Sequence, residues 1–395
     1  MTGNIDVVVI GGGYAGVMAA NRLTQRDDLT VTLINPRPTF VERIRLHQLV
    51  GGSDDAVVNY REILADGVRL VVDTVTRIDV AERSVTLATG GTASYDYLIY
   101  AVGSGSADPQ VPGAAEFAYP IASLEEAQRL RSVVDSAPVT AAVTVVGGGP
   151  LGIEGAAELA ELGRSVTLVC GEQLGPYLHP RGRRSVAKEL SRLGVTVLDG
   201  PGATVTTVTR DAVQLGDGRG LPSAVTIWSA GFGVPDLAAR SGLSTDAVGR
   251  LLTDETLTSV DDQRIIATGD AAAPSDLPLR MSCQAALPLG SHAADTVLSR
   301  IAGERPADFS KGIAAMCISL GRRAGVFQAA HRDDTAMGLH LSGRLGAKLK
   351  EAVCTNTVKQ LAAEAGKPGS HSWPVRDATR QQRLQAKLGE ALATQ

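Results

Sequence analysis

Ile5-Asp6-Val7-Val8-Val9-Ile10-Gly11-Gly12-Gly13-Tyr14-Ala15-Gly16-Val17-Met18-Ala19-Ala20 is the stretch that decides the fold. A β-rich run meets a glycine cluster, and a helix-forming segment follows to about Arg26, so the order reads strand, tight turn, helix. The turn has the spacing Gly11-x-Gly13-x-x-Gly16. Glycines so placed let the chain turn sharply and bring backbone N–H groups at a helix N-terminus up to a pyrophosphate. An isolated G-x-G-x-x-G is common in unrelated turns, and the flanking strand and helix give this one its meaning. The run from Val7 to Ala20 is apolar, but it holds four glycines, lacks a basic leader and falls short of a spanning helix. Neither a signal peptide nor a transmembrane segment is expected from it.

The pattern returns downstream. Val143–Val146 runs into Gly147-x-Gly149-x-x-Gly152, a helix over Leu151–Leu162 carries Glu154, and Val166–Val169 supplies the next strand. Two such crevices imply two dinucleotides, an arrangement suited to hydride relay from a nicotinamide to a flavin. The 395 residues exceed one ordinary domain, and the 44 glycines follow no Gly-X-Y period, so they belong in turns and nucleotide loops. Further strands are expected near 70–75, 84–88, 97–101, 195–198 and 225–228, at 265–267, and toward the end at 314–320 and 324–330. An amphipathic helix is expected around 345–361. The Gly- and Pro-rich segment 103–113 has the composition of a crossing linker, with a return near 231–234.

Net charge is −4 with a pI near 5.9, which excludes a general nucleic-acid binder because that needs a dense basic face. Charge is uneven, however: residues 341–395 hold nine Lys/Arg against four Asp/Glu. A solvated helix is the commoner meaning of such a tail, and contact with an anionic membrane surface or a neighbouring subunit is the alternative. Cys170, Cys283, Cys317 and Cys354 form no C-x-x-C pair and no metal-ligand spacing, which fits a reduced cytoplasmic setting without a metal.

Five motifs in order carry a resemblance over residues 5–300: the two glycine loops, Tyr97-Leu98-Ile99-Tyr100-Ala101-Val102-Gly103-Ser104, Trp228-Ser229-Ala230-Gly231 and Ala267-Thr268-Gly269-Asp270. This order resembles the pyridine-nucleotide:flavin oxidoreductases, within them the branch of type II NADH dehydrogenases and apoptosis-inducing-factor-like proteins. The resemblance implies an α/β fold of two Rossmann-like domains, the second inserted in the first, with a small C-terminal α+β region. Its boundaries would be 1–112 and 244–306 for FAD, 113–243 for NAD(P), and 307–395 as an interface or membrane-surface region. It implies FAD held by Gly11, Gly13, Tyr14, Ala15, Gly16, Asn35, Pro36, Arg37, Arg43, Val75, Ala101, Val102, Gly103, Gly269, Asp270, Gln284 and Ala285. NADH or NADPH would lie on Gly147, Gly149, Pro150, Leu151, Gly152, Glu154, Cys170, Ala230 and Gly231. Hydride would pass from the nicotinamide to the flavin and on to a small-molecule acceptor, with Glu154 and Gln284 as the groups nearest the chemistry.

Departures from the family pattern sharpen this reading. Asn35 and Cys170 stand where the ribose-binding acid usually ends the second strand of each unit. Glu172 could serve the hydroxyl instead, whereas Arg181, Arg183 and Arg184 would suit a 2′-phosphate, so the nicotinamide choice stays open with NADH ahead. Residues 40–50 carry no cysteine, which excludes the dithiol relay of the disulfide-using members, and Arg43, Arg45 and His47 would shape the flavin face instead. Only Gln284 remains of the glutamines that line the quinone site in type II enzymes, and Pro288 follows it, which weakens the expectation of a quinone acceptor. A flavin-dependent monooxygenase or specialised-metabolite oxidoreductase and a slow redox sensor are the other readings. Expected localisation is cytoplasmic, with a peripheral position at the inner membrane face and a homodimer as further options.

Overall fold

Two parallel five-stranded sheets, alike in their four inner-to-far-edge strands and different in where the fifth, edge strand falls along the chain, organise the computed structural model, which describes residues 4–393. In the first, the order is Ile265–Ala267, Tyr97–Tyr100, Ile5–Ile10, Leu29–Asn35 and Val68–Val72, every neighbouring pair parallel. In the second it is Ala118–Pro120, Val225–Trp228, Ala142–Val146, Ser165–Val169 and Thr196–Leu198, again all parallel. Each unit adds a three-stranded antiparallel sheet, Val75–Asp79 with Ser84–Leu87 and Thr92–Ser94 in the first, Val205–Val208 with Ala212–Leu215 and Gly220–Pro222 in the second. Continuous Val/Ile/Leu runs suit such strands because helices cover both faces of a parallel sheet.

The chain leaves the first unit at Gly105–Ser106 and returns at Phe232–Gly233, and these two segments pair antiparallel. Beyond the return, Leu237, Ala238 and Leu243 pack with Val8, Ile10 and Leu98 of the first unit. The return therefore falls about ten residues before the expected boundary at Leu243, because the short helix Leu237–Arg240 serves the first core. The expected strand over 70–75 is likewise two strands, broken where the Asp73 N–H donates to the Asn35 carbonyl and the Asp73 carboxylate accepts from the Thr74 N–H. Val75 consequently begins the antiparallel sheet with its side chain buried in the core, so any approach to a cofactor would be by its backbone.

The C-terminal region forms an antiparallel sheet of Ala315–Leu320, Ala324–Ala330 and Ala336–Ser342, followed by the long helix Gly343–Gly366 and the helix Arg380–Ala393. Met316, Ile318, Leu320 and Val326 join the core of the second unit, while Leu361 joins that of the first. The long helix buries Gly346, Lys350, Cys354, Thr357, Leu361 and Glu364, a stripe at helical spacing. The tail is therefore more than a solvated helix. Lys350 pairs with Glu154, Glu364 with Arg22, and Arg380 with Glu255, the Arg380–Glu255 pair at 2.6 Å and nearly sealed from solvent.

Candidate functional site: two nucleotide crevices and a buried charge cluster

The first crevice is shaped by backbone crowding. Gly11 has φ +102°, and a Cβ there would lie 2.3 Å from the Ala101 carbonyl oxygen; a Cβ on Gly16 would lie 1.9 Å from the Gly11 carbonyl. Gly13 instead faces open space, with nothing within 4 Å, and it caps the helix Tyr14–Leu23 without a side-chain acceptor. First-turn N–H groups are thus left for an anionic ligand. Tyr14 and Ala15 are buried beneath the turn, where Ala15 meets Gly290 of the helix Cys283–Ile301: a Cβ on Gly290 would lie 2.4 Å from the Ala15 carbonyl.

Asn35 turns inward. Its Oδ1 accepts from the Gly12 N–H at 2.9 Å and its Nδ2 donates to the Arg37 carbonyl at 2.8 Å, while the Tyr60 hydroxyl donates to the Gly12 carbonyl at 2.7 Å. Its amide thus braces the glycine turn, leaving one lone pair and one N–H for a ribose. Pro36 is exposed, and the Arg37 guanidinium grips Glu125, with one bond of 2.6 Å.

Beyond the turn, Ala101, Val102 and Gly103 lead to Ser104, whose hydroxyl donates to the Asp270 carboxylate at 2.7 Å. Arg43 donates to Ser104 Oγ at 3.0 Å and to the Ala122 carbonyl at 3.1 Å, and stands 3.5 Å from Asp270. Gly269 reaches φ +67° to aim this acid. Gln284 Oε1 accepts from the backbone N–H of Ala314 at 2.9 Å, tying the start of the helix Cys283–Ile301 to the C-terminal sheet, and Ala285 is buried behind it. An open glycine turn and a polar rim of Arg43, Ser104 and Asp270 fit the pyrophosphate and ribityl parts of FAD.

The second crevice repeats the first. Gly147 has φ +128°, Gly149 faces open space, and a Cβ on Gly152 would lie 2.0 Å from the Gly147 carbonyl. Pro150 occupies the first turn of the helix Pro150–Glu161, where its missing N–H costs nothing, and Leu151 is half-buried beside it. Cys170 packs against Gly148, and burial pushes its thiol up to about 12, so it presents no charge to a ribose. On the opposite wall Gly231 has φ +80°, and Trp228 Nε1 donates to the Ala230 carbonyl at 2.9 Å.

Glu154 sits on that second helix, 5 % exposed, and its carboxylate points to the C-terminal region. Lys350 Nζ lies 2.9 Å from Oε1, the Ser319 N–H donates to Oε1 at 3.0 Å, and His47 Nδ1 lies 3.6 Å from Oε2. Burial alone would raise the Glu154 carboxyl, but the Lys350 ammonium, His47 and the Ser319 N–H together hold it below the usual range. Burial likewise opposes the Lys350 charge, and the Glu154 carboxylate outweighs it and raises Lys350 above its ordinary value. His47 is pushed down to about 4, chiefly by burial, with Lys350, Arg322 and Arg45 adding to the effect. Sequence reasoning singled out Glu154 and His47 but missed Lys350 and Ser319. A lysine in register with Gly346, Cys354 and Leu361 on one helical stripe was the available signal.

Two glycine-cornered crevices on two similar parallel sheets, one with a flavin-type acid at its rim, define a two-dinucleotide flavoprotein oxidoreductase. Residues 5–293 match the family model described as pyridine nucleotide-disulphide oxidoreductase, and the chain belongs to this family. It is similar to a NADH dehydrogenase-like protein of Mycobacterium tuberculosis, 31 % identical over 323 residues that cover 74 % of this chain and 80 % of that one. A type II NADH:quinone oxidoreductase of the same organism is 29 % identical over 76 % of this chain and 74 % of its own length. Among solved structures, the sulfide:quinone oxidoreductase of Aquifex aeolicus covers 95 % of this chain and all of its own at a TM-score of 0.76 and 19 % identity. The NDH2 of Plasmodium falciparum, solved with NADH, covers 94 % of this chain and 99 % of its own at 0.76 and 16 %. The chain is thus an enzyme of the FAD- and nicotinamide-using class, although its sequence carries no cysteine where the family's disulfide members place their redox pair.

Proposed function

We propose that the protein oxidises NADH and passes the electrons through FAD to a quinone-type acceptor. The observation that carries this reading is the buried Glu154–Lys350 pair. It joins the nicotinamide-side helix to the C-terminal region and sets between them a buried carboxylate that Lys350 holds below its usual range. FAD supplies the two-electron relay when bound. The chain's own groups position and exclude: Gly147, Gly149 and Gly152 admit the nicotinamide dinucleotide, Ala230 and Gly231 permit its close approach, and Gln284 fixes the helix behind the flavin edge. Relatives named type II NADH:quinone oxidoreductases support the acceptor class.

Two features favour NADH over NADPH. Glu172, two residues past the neutral Cys170, would repel a 2′-phosphate, and Arg183 spends its guanidinium on the Leu178 and Gly175 carbonyls. No described helix is long and apolar enough to cross a membrane. Leu339, Leu341 and Leu345 are 66 %, 40 % and 53 % exposed beside Arg344 and Lys348, a composition suited to peripheral contact with an anionic bilayer. The test is an anaerobic titration of the yellow protein with NADH and NADPH followed by quinones, dyes and oxygen. NADH should bleach the flavin at lower concentration than NADPH, and a quinone should restore it. A polypeptide that stays colourless after reconstitution with FAD overturns the reading.

A further inference from the structure

The turn between Ala315–Leu320 and Ala324–Ala330 and the start of the long helix enclose an open cavity of about 310 Å³, lined by no residue of either glycine turn. Small ligands are commonly held in cavities of about 300–1,000 Å³. Buried Ser319 and Lys350 close the inner end, and exposed Arg322, Arg323, Arg344 and Lys348 form the mouth.

The charges at this mouth do not cancel. Lys350 is matched by Glu154 at 2.9 Å, and Arg322 shares Glu351 with Arg45, at 3.2 Å and 2.6 Å. Arg323, Arg344 and Lys348 pair with no acid among the described residues. The long helix strengthens the field, because its N-terminus lies at the same rim: Ser342 caps it without a side-chain hydrogen bond, and no acid stands in the first turn. The last helix offers a contrast, since Arg380, Arg383 and Lys387 are each taken by an acid, Glu255, Asp377 and Asp276.

Apolar side chains adjoin the uncompensated cations. Leu345 stands one turn before Lys348 on the helix, and Leu339 and Leu341 share one side of the strand that leads into it; all three are exposed. Phosphate alone would need the cations and hydrocarbon alone the leucines, whereas an anionic amphiphile needs both. An acidic protein surface would be met by charges spread over a face, without a cavity behind them.

We propose that this cavity binds the phosphate headgroup of an anionic phospholipid, with Leu339, Leu341 and Leu345 among the acyl chains beside it. The Arg323 and Arg344 guanidiniums grip the phosphate oxygens, Lys348 adds a point charge, and the open helix N-terminus faces the anion. The site rests on the reading of this face as a membrane surface, and it gives that surface a specific ligand and a place: the start of the long helix rather than the end of the chain.

Calorimetry of the FAD-loaded protein with monomeric dihexanoyl-phosphatidylglycerol reads the site without a bilayer. Binding is expected, tighter than that of inorganic phosphate, dihexanoyl-phosphatidylcholine or polyglutamate. Arg323→Ser with Arg344→Ser should weaken it by at least about tenfold, and flotation on phosphatidylglycerol vesicles should fall with it. Lys359→Ser with Lys367→Ser makes the same charge change at exposed residues beyond screening range, and it should alter binding by less than about twofold. Both double variants should keep the parent's flavin spectrum; should the arginine pair lose it, Arg323→Ser alone carries the test. Equal losses in the two double variants, or phosphate or polyglutamate bound as tightly as the lipid, overturns the headgroup site. Flotation undiminished by the arginine substitutions overturns the site and leaves the membrane reading standing, whereas wild-type protein that floats on no anionic vesicle overturns both.

Discussion

The two glycine turns share one backbone design and differ in what holds them. In the first, the Gly12 N–H is taken by Asn35 and its carbonyl by Tyr60, so the middle of the turn is pinned from both sides. In the second, the Gly148 carbonyl accepts from the Gly175 N–H, but among the described residues no side chain hydrogen-bonds to the turn, and the strand ends in an uncharged thiol. A braced turn suits a cofactor that stays through every cycle, and a looser one suits a nucleotide that must leave after each hydride transfer. The contrast teaches that one motif can be tuned for retention or release by groups outside it.

The most forceful way to break this comparison is a matched pair of substitutions. Gly11→Ala forces a Cβ to 2.3 Å from a backbone carbonyl at φ +102°, so the purified protein should lose most of its flavin absorbance. Gly147→Ala puts a Cβ 2.5 Å from the Ser229 hydroxyl and 3.0 Å from the Ala230 backbone nitrogen at φ +128°, and it should keep the yellow colour while NADH binding weakens by at least about tenfold. A colourless Gly147→Ala would erase the distinction. Next in size, Asn35→Ala leaves the buried Gly12 N–H without a partner and should cost about 1–3 kcal/mol in denaturant unfolding, with faster flavin loss. Cys170→Ala should stay within about 1 kcal/mol of the parent, since it removes one small half-buried group.

Acid gives a gentler probe. His47 is held neutral with its titration lowered to about 4, against an ordinary 6.5, so the unfolded chain binds a proton first as pH falls. Stability should therefore be full above about 6.5 and decline toward about 4. Its loss should be smaller in His47→Gln, as judged by urea midpoints across that range. Smallest of all, Leu341→Ser with Leu345→Ser should reduce flotation with anionic liposomes and leave the spectrum alone. Unchanged flotation would remove the bilayer proposal.

Both crevices were legible in the sequence because their signal is local: apolar strand, three glycines at fixed spacing, helix. Gly269-Asp270 gained meaning from its place after the other motifs. The inward turn of Asn35 was not legible, since a strand-ending amide can face a ribose or its own loop, and only the position of Gly12 decides. The Glu154 cluster was hidden for a different reason: His47, Ser319 and Lys350 come from elements far apart in the chain, and a buried lysine reads in sequence like a surface one. Ala336–Ser342 escaped notice because half-exposed edge residues blur the alternation that marks a strand.

The long helix that brings Lys350 to Glu154 also bears on how the molecule is made. During synthesis Glu154 emerges well before its ammonium partner, and Glu255 before Arg380. Both glycine units can collapse around their own strands on the ribosome, yet each holds an uncompensated acid until the last segment arrives. Assembly of the charged centre is thereby a final event, and a chain cut short before residue 350 would carry both nucleotide turns but leave Glu154 without its ammonium partner.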